Sequence, residues 1–306
     1  MRKVLFGLCF LGFCPGFLGG TAAAEEDTTS TPNWKVSLVT DLTTTQTSYS
    51  DEWVGGEEGS VNWVTNTNAT AEKDLSPKFN LKSNLRLSFG QTLTQDAETR
   101  EWSRPQKTTD LIDWENVGRF MFGWVVDPYA AFRLETQFFD GSVDEKKLFF
   151  NPLKLTESVG IARKIYKKEK SEVVSRLGFG LRQIFKSTAI VDTALTSATN
   201  TVYTTIDSTF NDGGFESVTD ATIQLSERIQ YVGKLTLFKA IFFSESDADT
   251  TDAWKSIDVN WESTINAQVS KIISVNLYVQ VLYDKEIIDK GRFKQTLGIG
   301  FVFRMI

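Results

Sequence analysis

The chain has 306 residues, of which 33 are basic and 39 acidic, with no histidine and two cysteines. A net charge of −6 argues against a nucleic-acid partner, because such binding rests on concentrated positive charge. Beyond the N-terminus no stretch approaches the ~18 consecutive apolar residues of a membrane-spanning helix, although strands that alternate polar and apolar residues escape that test.

Arg2 and Lys3 open the chain, Val4 to Phe17 is an apolar run, and Ala22-Ala23-Ala24 precedes Glu25. Charge, short apolar run and small residues in this order read as a secretory signal peptide. Residues 1–24 are expected to be cleaved, leaving 25–306 as one domain. Cys9 and Cys14 follow Leu8 and Phe13, not the small residue that lipoprotein processing needs, so the mature chain is expected to hold no cysteine. Without Arg2 and Lys3 it carries 31 basic and 39 acidic residues.

Period-two alternation then repeats along the chain. In 78–89, Phe79, Leu81, Leu85, Leu87 and Phe89 share one face with Ser83 as the one polar intruder, while Lys78, Asn80, Lys82, Asn84, Arg86 and Ser88 share the other. Successive side chains of a strand point to opposite faces, so this is one apolar and one polar face. In 255–269, Ile257, Val259, Trp261 and Ile265 oppose Asp258, Asn260, Glu262 and Thr264. Twelve such segments are expected, at 34–49, 60–73, 78–92, 110–126, 130–140, 154–166, 171–185, 215–231, 234–243, 254–270, 275–284 and 292–303. The segment 234–243 is apolar on both faces, which leaves its inward side open.

The connections alternate in length. Short ones are expected at 74–77, 127–129, 167–170, 232–233 and 271–274, and long ones at 50–59, 93–109, 141–153, 186–214, 244–253 and 285–291. Short turns on one side and long loops on the other, with an even strand number, describe outer-membrane barrels. Aromatics gather near both sets of strand ends: Trp34, Phe79, Trp124, Tyr129 and Tyr231 toward the short turns, and Trp53, Trp63, Trp114, Phe138 and Phe293 toward the long loops. Amphipathic rings favour the two membrane interfaces. The expected fold is therefore all-β: an up-and-down antiparallel transmembrane barrel of about 12 strands, in a bacterial outer membrane, with both termini periplasmic. A soluble sandwich or lipocalin-like barrel also alternates, but its strands are shorter, its apolar faces point inward, and it lacks the loop rhythm.

The ending Leu297-Gly298-Ile299-Gly300-Phe301-Val302-Phe303 resembles the C-terminal assembly signal of bacterial outer-membrane proteins, although three residues follow the last aromatic. That resemblance implies recognition by the barrel-insertion machinery. More loosely, Asp51-Glu52-Trp53-Val54-Gly55-Gly56 is similar to an uncharacterised family of outer-membrane barrels with a Trp-x-Gly-Gly first hairpin, and it implies no activity.

Outer-membrane barrel hydrolases work through histidine, which is absent here. Zinc sites draw on His and Cys, which the mature chain lacks. No catalytic, metal or cofactor residues are expected, and the chain is not read as an enzyme. Glu245, Asp247, Asp249 and Asp252 match no EF-hand pattern. The informative residues are those expected to line the lumen: Lys82, Arg86, Arg119, Arg133, Glu135, Arg176, Arg182, Asp220, Arg228, Asp258 and Glu262, with Asp113, Glu115, Glu216 and Lys294 on the same face. Twelve strands stand between eight, where side chains fill the bore, and sixteen, where an aqueous channel opens. The expected function is a narrow channel for small polar or charged solutes. The alternative is a closed structural or partner-binding barrel acting through its long loops. Outer-membrane lipid, lipopolysaccharide, the insertion machinery and a small solute are the expected partners, and nucleic acid is not. If the face assignment is right, a charged residue at Leu85 or Val259 costs about 2–4 kcal/mol of folding stability near the midplane, whereas Asn84 and Asn260 tolerate it. Denaturant titration of the refolded barrel measures the difference.

Overall fold

A computed structural model describes residues 34–49, 58–96, 98–143, 145–196, 201–245 and 252–304. The expected signal peptide, the Asp51–Gly56 motif and most of the 245–252 acidic loop lie outside the described residues.

Twelve strands close into one barrel. They are β1 (Lys35–Thr47), β2 (Ser60–Ser76), β3 (Phe79–Thr94), β4 (Gln106–Phe120), β5 (Asp127–Thr136), β8 (Leu153–Lys168), β9 (Ser171–Val191), β10 (Tyr203–Gln224), β11 (Ile229–Phe243), β12 (Ile257–Gln268), β13 (Ile273–Asp284) and β14 (Ile288–Arg304). Two short strands, β6 (Phe139–Asp140) and β7 (Leu148–Phe149), pair within the loop between β5 and β8. Each barrel strand pairs antiparallel with the next, and β1 pairs with β14 from Val39↔Arg304 to Thr43↔Gly300 to close the wall. Closure gives every strand two neighbours and leaves no edge.

The wall is inverted relative to a soluble barrel. Phe293, Leu297, Ile299, Phe215, Val159 and Leu177 are each more than half exposed on the outside, whereas Asp113, Glu115, Arg133, Arg176, Arg182 and Glu262 are buried inside. A surface of that kind is stable against lipid rather than water. Hydroxyls that face outward find partners within the wall, as lipid supplies none. Ser83, the intruder on the apolar face of β3, accepts the indole N–H of Trp114 at 3.0 Å, and Ser175 and Thr219 hydrogen-bond each other at 3.0 Å.

Four connections differ from expectation, the first being the long loop expected at 285–291, which shrinks to 285–287 because β13 runs to Asp284 and β14 starts at Ile288. The turn expected at 232–233 lies at 225–228, and Val232 and Gly233 sit inside β11, paired with Thr222 and Ala221. Gly233 is not turn punctuation there; a side chain at that position would lie 2.5 Å from the Tyr231 hydroxyl, so the glycine leaves room for that ring along the strand. The turn expected at 127–129 lies at 121–126, with Gly123 at φ +76. Asp127 and Pro128 begin β5, and a proline without an N–H is tolerated at a strand's first residues. The long loop expected at 186–214 shrinks to 192–202, because β9 and β10 run on as a paired ribbon to Val191↔Tyr203. That ribbon is rich in Thr and Ser, and polar residues on both faces carry no alternation to read.

The wall also settles 234–243. Lys234, Thr236 and Phe238 line the cavity inside, while Ile241 and Phe242 are exposed. Two aromatics expected in the girdles lie elsewhere: Trp114 is mid-wall, paired with Leu85 and Leu134, and Tyr129 is buried in the bore. Tyr129 occupies space that Gly178 leaves empty, since a Cβ at Gly178 would sit 2.7 Å from its hydroxyl. A Cβ there would also press on the backbone carbonyl of Val159 on β8, so Gly178→Ala is expected to displace both the ring and the neighbouring strand and to cost about 1–3 kcal/mol or more by overpacking, read as a lower denaturation midpoint in detergent.

Candidate functional site: the bore

Three connected sets of ion pairs occupy the interior. In the first, six charges alternate in sign around and across the bore. Lys154 of β8 meets Glu135 of β5 at 3.2 Å, Glu135 meets Arg133 at 3.0 Å, and Arg133 meets Asp113 of β4 at 2.8 Å. Asp113 also takes Arg86 of β3 at 2.5 Å, and Arg86 reaches Glu262 of β12 at 2.6 Å. In the strand order β3 and β12 are five places apart one way and seven the other, so the last link spans the lumen.

The second set makes another crossing. Glu115 of β4 accepts from Arg176 of β9 at 2.6 Å and from Lys234 of β11 at 2.9 Å, and Arg176 also reaches Asp220 at 3.3 Å. In the third set, Arg182 of β9 binds Asp212 through Nε at 2.7 Å and Asp258 of β12 at 2.7 Å. Its guanidinium lies 3.6 Å from the centre of the Phe238 ring, and that of Arg176 lies 5.6 Å from the Tyr129 ring. Planar guanidinium groups suit both the carboxylate forks and the ring faces. A buried charge without its partner costs far more than the pair gains, and these networks leave few such charges on β4, β5 and β8–β11.

Beyond the Arg86–Glu262 link the wall changes character. β1, β2 and β13 present amides and hydroxyls: Asn66 donates to Asp41 at 3.0 Å, Ser88 of β3 donates to Asn66 at 2.6 Å, and Gln280 donates to Asn260 at 3.1 Å. On β14 the inward positions 298 and 300 are glycines, and Thr43 lies over them. Against this wall runs a cavity of about 1390 Å³. Its lining includes Lys170, Arg228 and Lys271 from the short turns at one end and Lys107, Asp284 and Ile287 at the other.

Of the eleven residues expected in the lumen, Lys82, Arg86, Arg133, Glu135, Arg182, Asp220, Arg228, Asp258 and Glu262 line this cavity. Arg228 does so from a turn rather than a strand. Arg119 and Arg176 lie inside but outside the cavity lining, buried beside Asp127 at 3.6 Å and beside Glu115. Lys78, expected on the polar face, is exposed at a turn. The sequence reasoning missed Lys234 because its segment had no readable inward face, and missed Asp212 because it fell in a presumed loop. Arg292 stood at a strand end, although its i,i+2 spacing from Lys294 was a usable signal. Among the described residues no group of His, Cys, Asp or Glu is arranged to hold a metal ion.

At the long-loop end the β5–β8 connection folds back on the wall. Phe138 and Phe139 approach Phe89 at 5.8 and 6.0 Å between ring centres. The Asp110 carboxylate accepts their backbone N–H groups at 2.6 and 3.2 Å. Asn151 ties the same loop to β9 by accepting the Ser187 N–H at 2.7 Å and donating to the Ser187 carbonyl at 2.8 Å.

The sequence model of a family described as a protein of unknown function (DUF3078) matches residues 44–141. No curated protein matches the chain. Among solved structures, the COG4313 outer membrane channel from Pseudomonas putida F1 is 12% identical, covering 93% of this chain and 100% of that one with a TM-score of 0.41. The translocator domain of the autotransporter NalP from Neisseria meningitidis is 6% identical over 87% of each chain, with a TM-score of 0.35. The β domain of the Bordetella autotransporter BrkA is 10% identical over 88% and 98%, with a TM-score of 0.33. At scores below 0.5 these likenesses decide nothing about what this chain does.

The networks make their own prediction. Asp113 serves two arginines, so Asp113→Asn is expected to cost about 3–5 kcal/mol, the scale of breaking a buried pair. Glu262→Gln should cost less, because Arg86 keeps Asp113. Denaturant midpoints of the two variants test that order.

Proposed function

We propose that this barrel resides in a bacterial outer membrane, with both termini on the periplasmic side and lipid and lipopolysaccharide around it, and conducts small polar solutes along the lane beside β1, β2, β13 and β14. The observation that carries the reading is the cavity itself, lined at one end by short-turn residues and at the other by residues of the long-loop half. The apolar outer face supports the membrane setting, and the short-turn and long-loop asymmetry supports the orientation. Assembly through the barrel-insertion machinery accords with the alternating C-terminal strand. The reading involves no chemical step, in keeping with a chain that has no histidine for general acid–base work.

The Arg86–Glu262 link is the narrowing element in this reading. It bounds the lane on one side, and a wet pore meets its resistance where the bore is tightest. A second reading, a closed barrel working through its loops, has one specific observation in its favour: Arg86–Glu262 and Lys234–Glu115 both cross the bore and fill part of it.

Single-channel recording separates the two. The refolded mature chain is expected to give reproducible conductance steps, and Glu262→Ala, which unlatches the crossing, is expected to enlarge them. Silence from protein shown by heat-modifiable gel mobility to be folded and inserted would favour the closed reading.

A further inference from the structure

The cavity is lined by charges of both signs, and most of them cancel within the networks. The remainder does not. Among the described residues, Lys82, Lys170, Arg228, Lys271, Arg292 and Lys294 line the cavity and enter no ion pair, against only Asp41, Glu227 and Asp284 on the acidic side. This excess of free positive charge stands inside a chain whose net charge is negative.

Three of these cations, Lys82 on β3 and Arg292 and Lys294 on β14, are placed within the wall rather than at a turn. Arg292 and Lys294 stand two residues apart on β14, so both face the bore. The Lys294 ammonium donates to the Thr109 hydroxyl of β4 at 3.1 Å, reaching four strands round the wall. The Arg292 Nε is buried without a hydrogen-bond partner. Glu262 of β12 stands level with Lys294 across Gln280 of β13, and Arg86 already holds it. An unpaired guanidinium and a lysine bonded only to a hydroxyl keep donors in hand for an anion, and a ring of fixed positive charge favours anions in a pore.

We propose that the lane is selective for small anions, with Arg292 and Lys294 as the residues that set the preference. This rests on the channel reading above. An anion entering from the short-turn end meets Lys170, Arg228 and Lys271 first, and one entering from the long-loop end passes Asp284 and then meets the pair on β14, in neither case having to break the structural networks. Acidic groups there are either engaged, like Glu262, or outnumbered, like Asp41 on the neighbouring β1.

The test is the reversal potential of the refolded mature chain in a planar bilayer under a potassium chloride gradient. The expected sign is that of chloride permeating more readily than potassium. Lys294→Glu combined with Arg292→Glu is expected to invert the sign. Lys294→Gln, which adds no charge and spares the fold if the double variant fails to insert, should move the potential toward zero. Lys186→Glu, on an exposed position outside the cavity, should leave it unchanged. Conducting channels that prefer potassium, or whose potential ignores both β14 variants, overturn the anion proposal and leave the channel reading standing. Folded, inserted protein that passes no current overturns both.

Discussion

A wall that meets lipid on its outer face leaves its charged side chains one place to go, and there those that are deeply buried must meet an opposite charge. The rest of the interior follows from that constraint. Arg133, Arg176 and Arg182 are all buried, and each is held by at least one carboxylate. Carboxylates are shared between cations: Asp113 between Arg86 and Arg133, Glu115 between Arg176 and Lys234. The bore of a twelve-stranded barrel is narrow enough for such sharing to reach across it, which a sixteen-stranded wall would not permit.

The crossings divide the interior. On β4, β5 and β8–β11 most charges are paired and rings lie against guanidinium groups. On β1, β2, β13 and β14 the lining is mostly amide, hydroxyl and bare backbone, with Asp41, Asp284, Arg292 and Lys294 as its unpaired charges among the described residues. The ion pairs are thus concentrated on one group of strands. A substitution of an amide or hydroxyl on the other group removes at most a hydrogen bond, worth ~1 kcal/mol. One in the networks strands a charge.

Much of this wall was legible in the sequence, because lipid on one side and polar groups on the other impose strict alternation. It was clearest in β3, β12 and β14, where the pattern alone sorts inward from outward residues. It failed where alternation was not required. The overhanging β9–β10 ribbon stands clear of the apolar belt and needs no apolar face, so its Thr-rich stretch looked like a loop. Gly233 and Asp127-Pro128 looked like turns, since the sequence does not show that one makes room for Tyr231 and the other starts a strand beside Arg119. The inward charges were readable one at a time. Their partners were not, because Arg86–Glu262 and Lys234–Glu115 join residues 176 and 119 positions apart, and only closure brings them together.

That separation bears on how the barrel is assembled. Every residue of the ion-pair networks falls between Lys or Arg of β3 and Glu262 of β12, a continuous run of hairpins, while the wall is sealed by the distant pairing of Thr43 with Gly300. A sheet growing hairpin by hairpin from β3 to β12 must curl before Arg86 can touch Glu262, and the contact, once made, holds it curled. The two free edges are then already drawn toward each other, and the last pairing closes a short gap instead of a long loop, with a correspondingly smaller loss of chain entropy. The link that crosses the bore thereby also acts as a staple for the final seam.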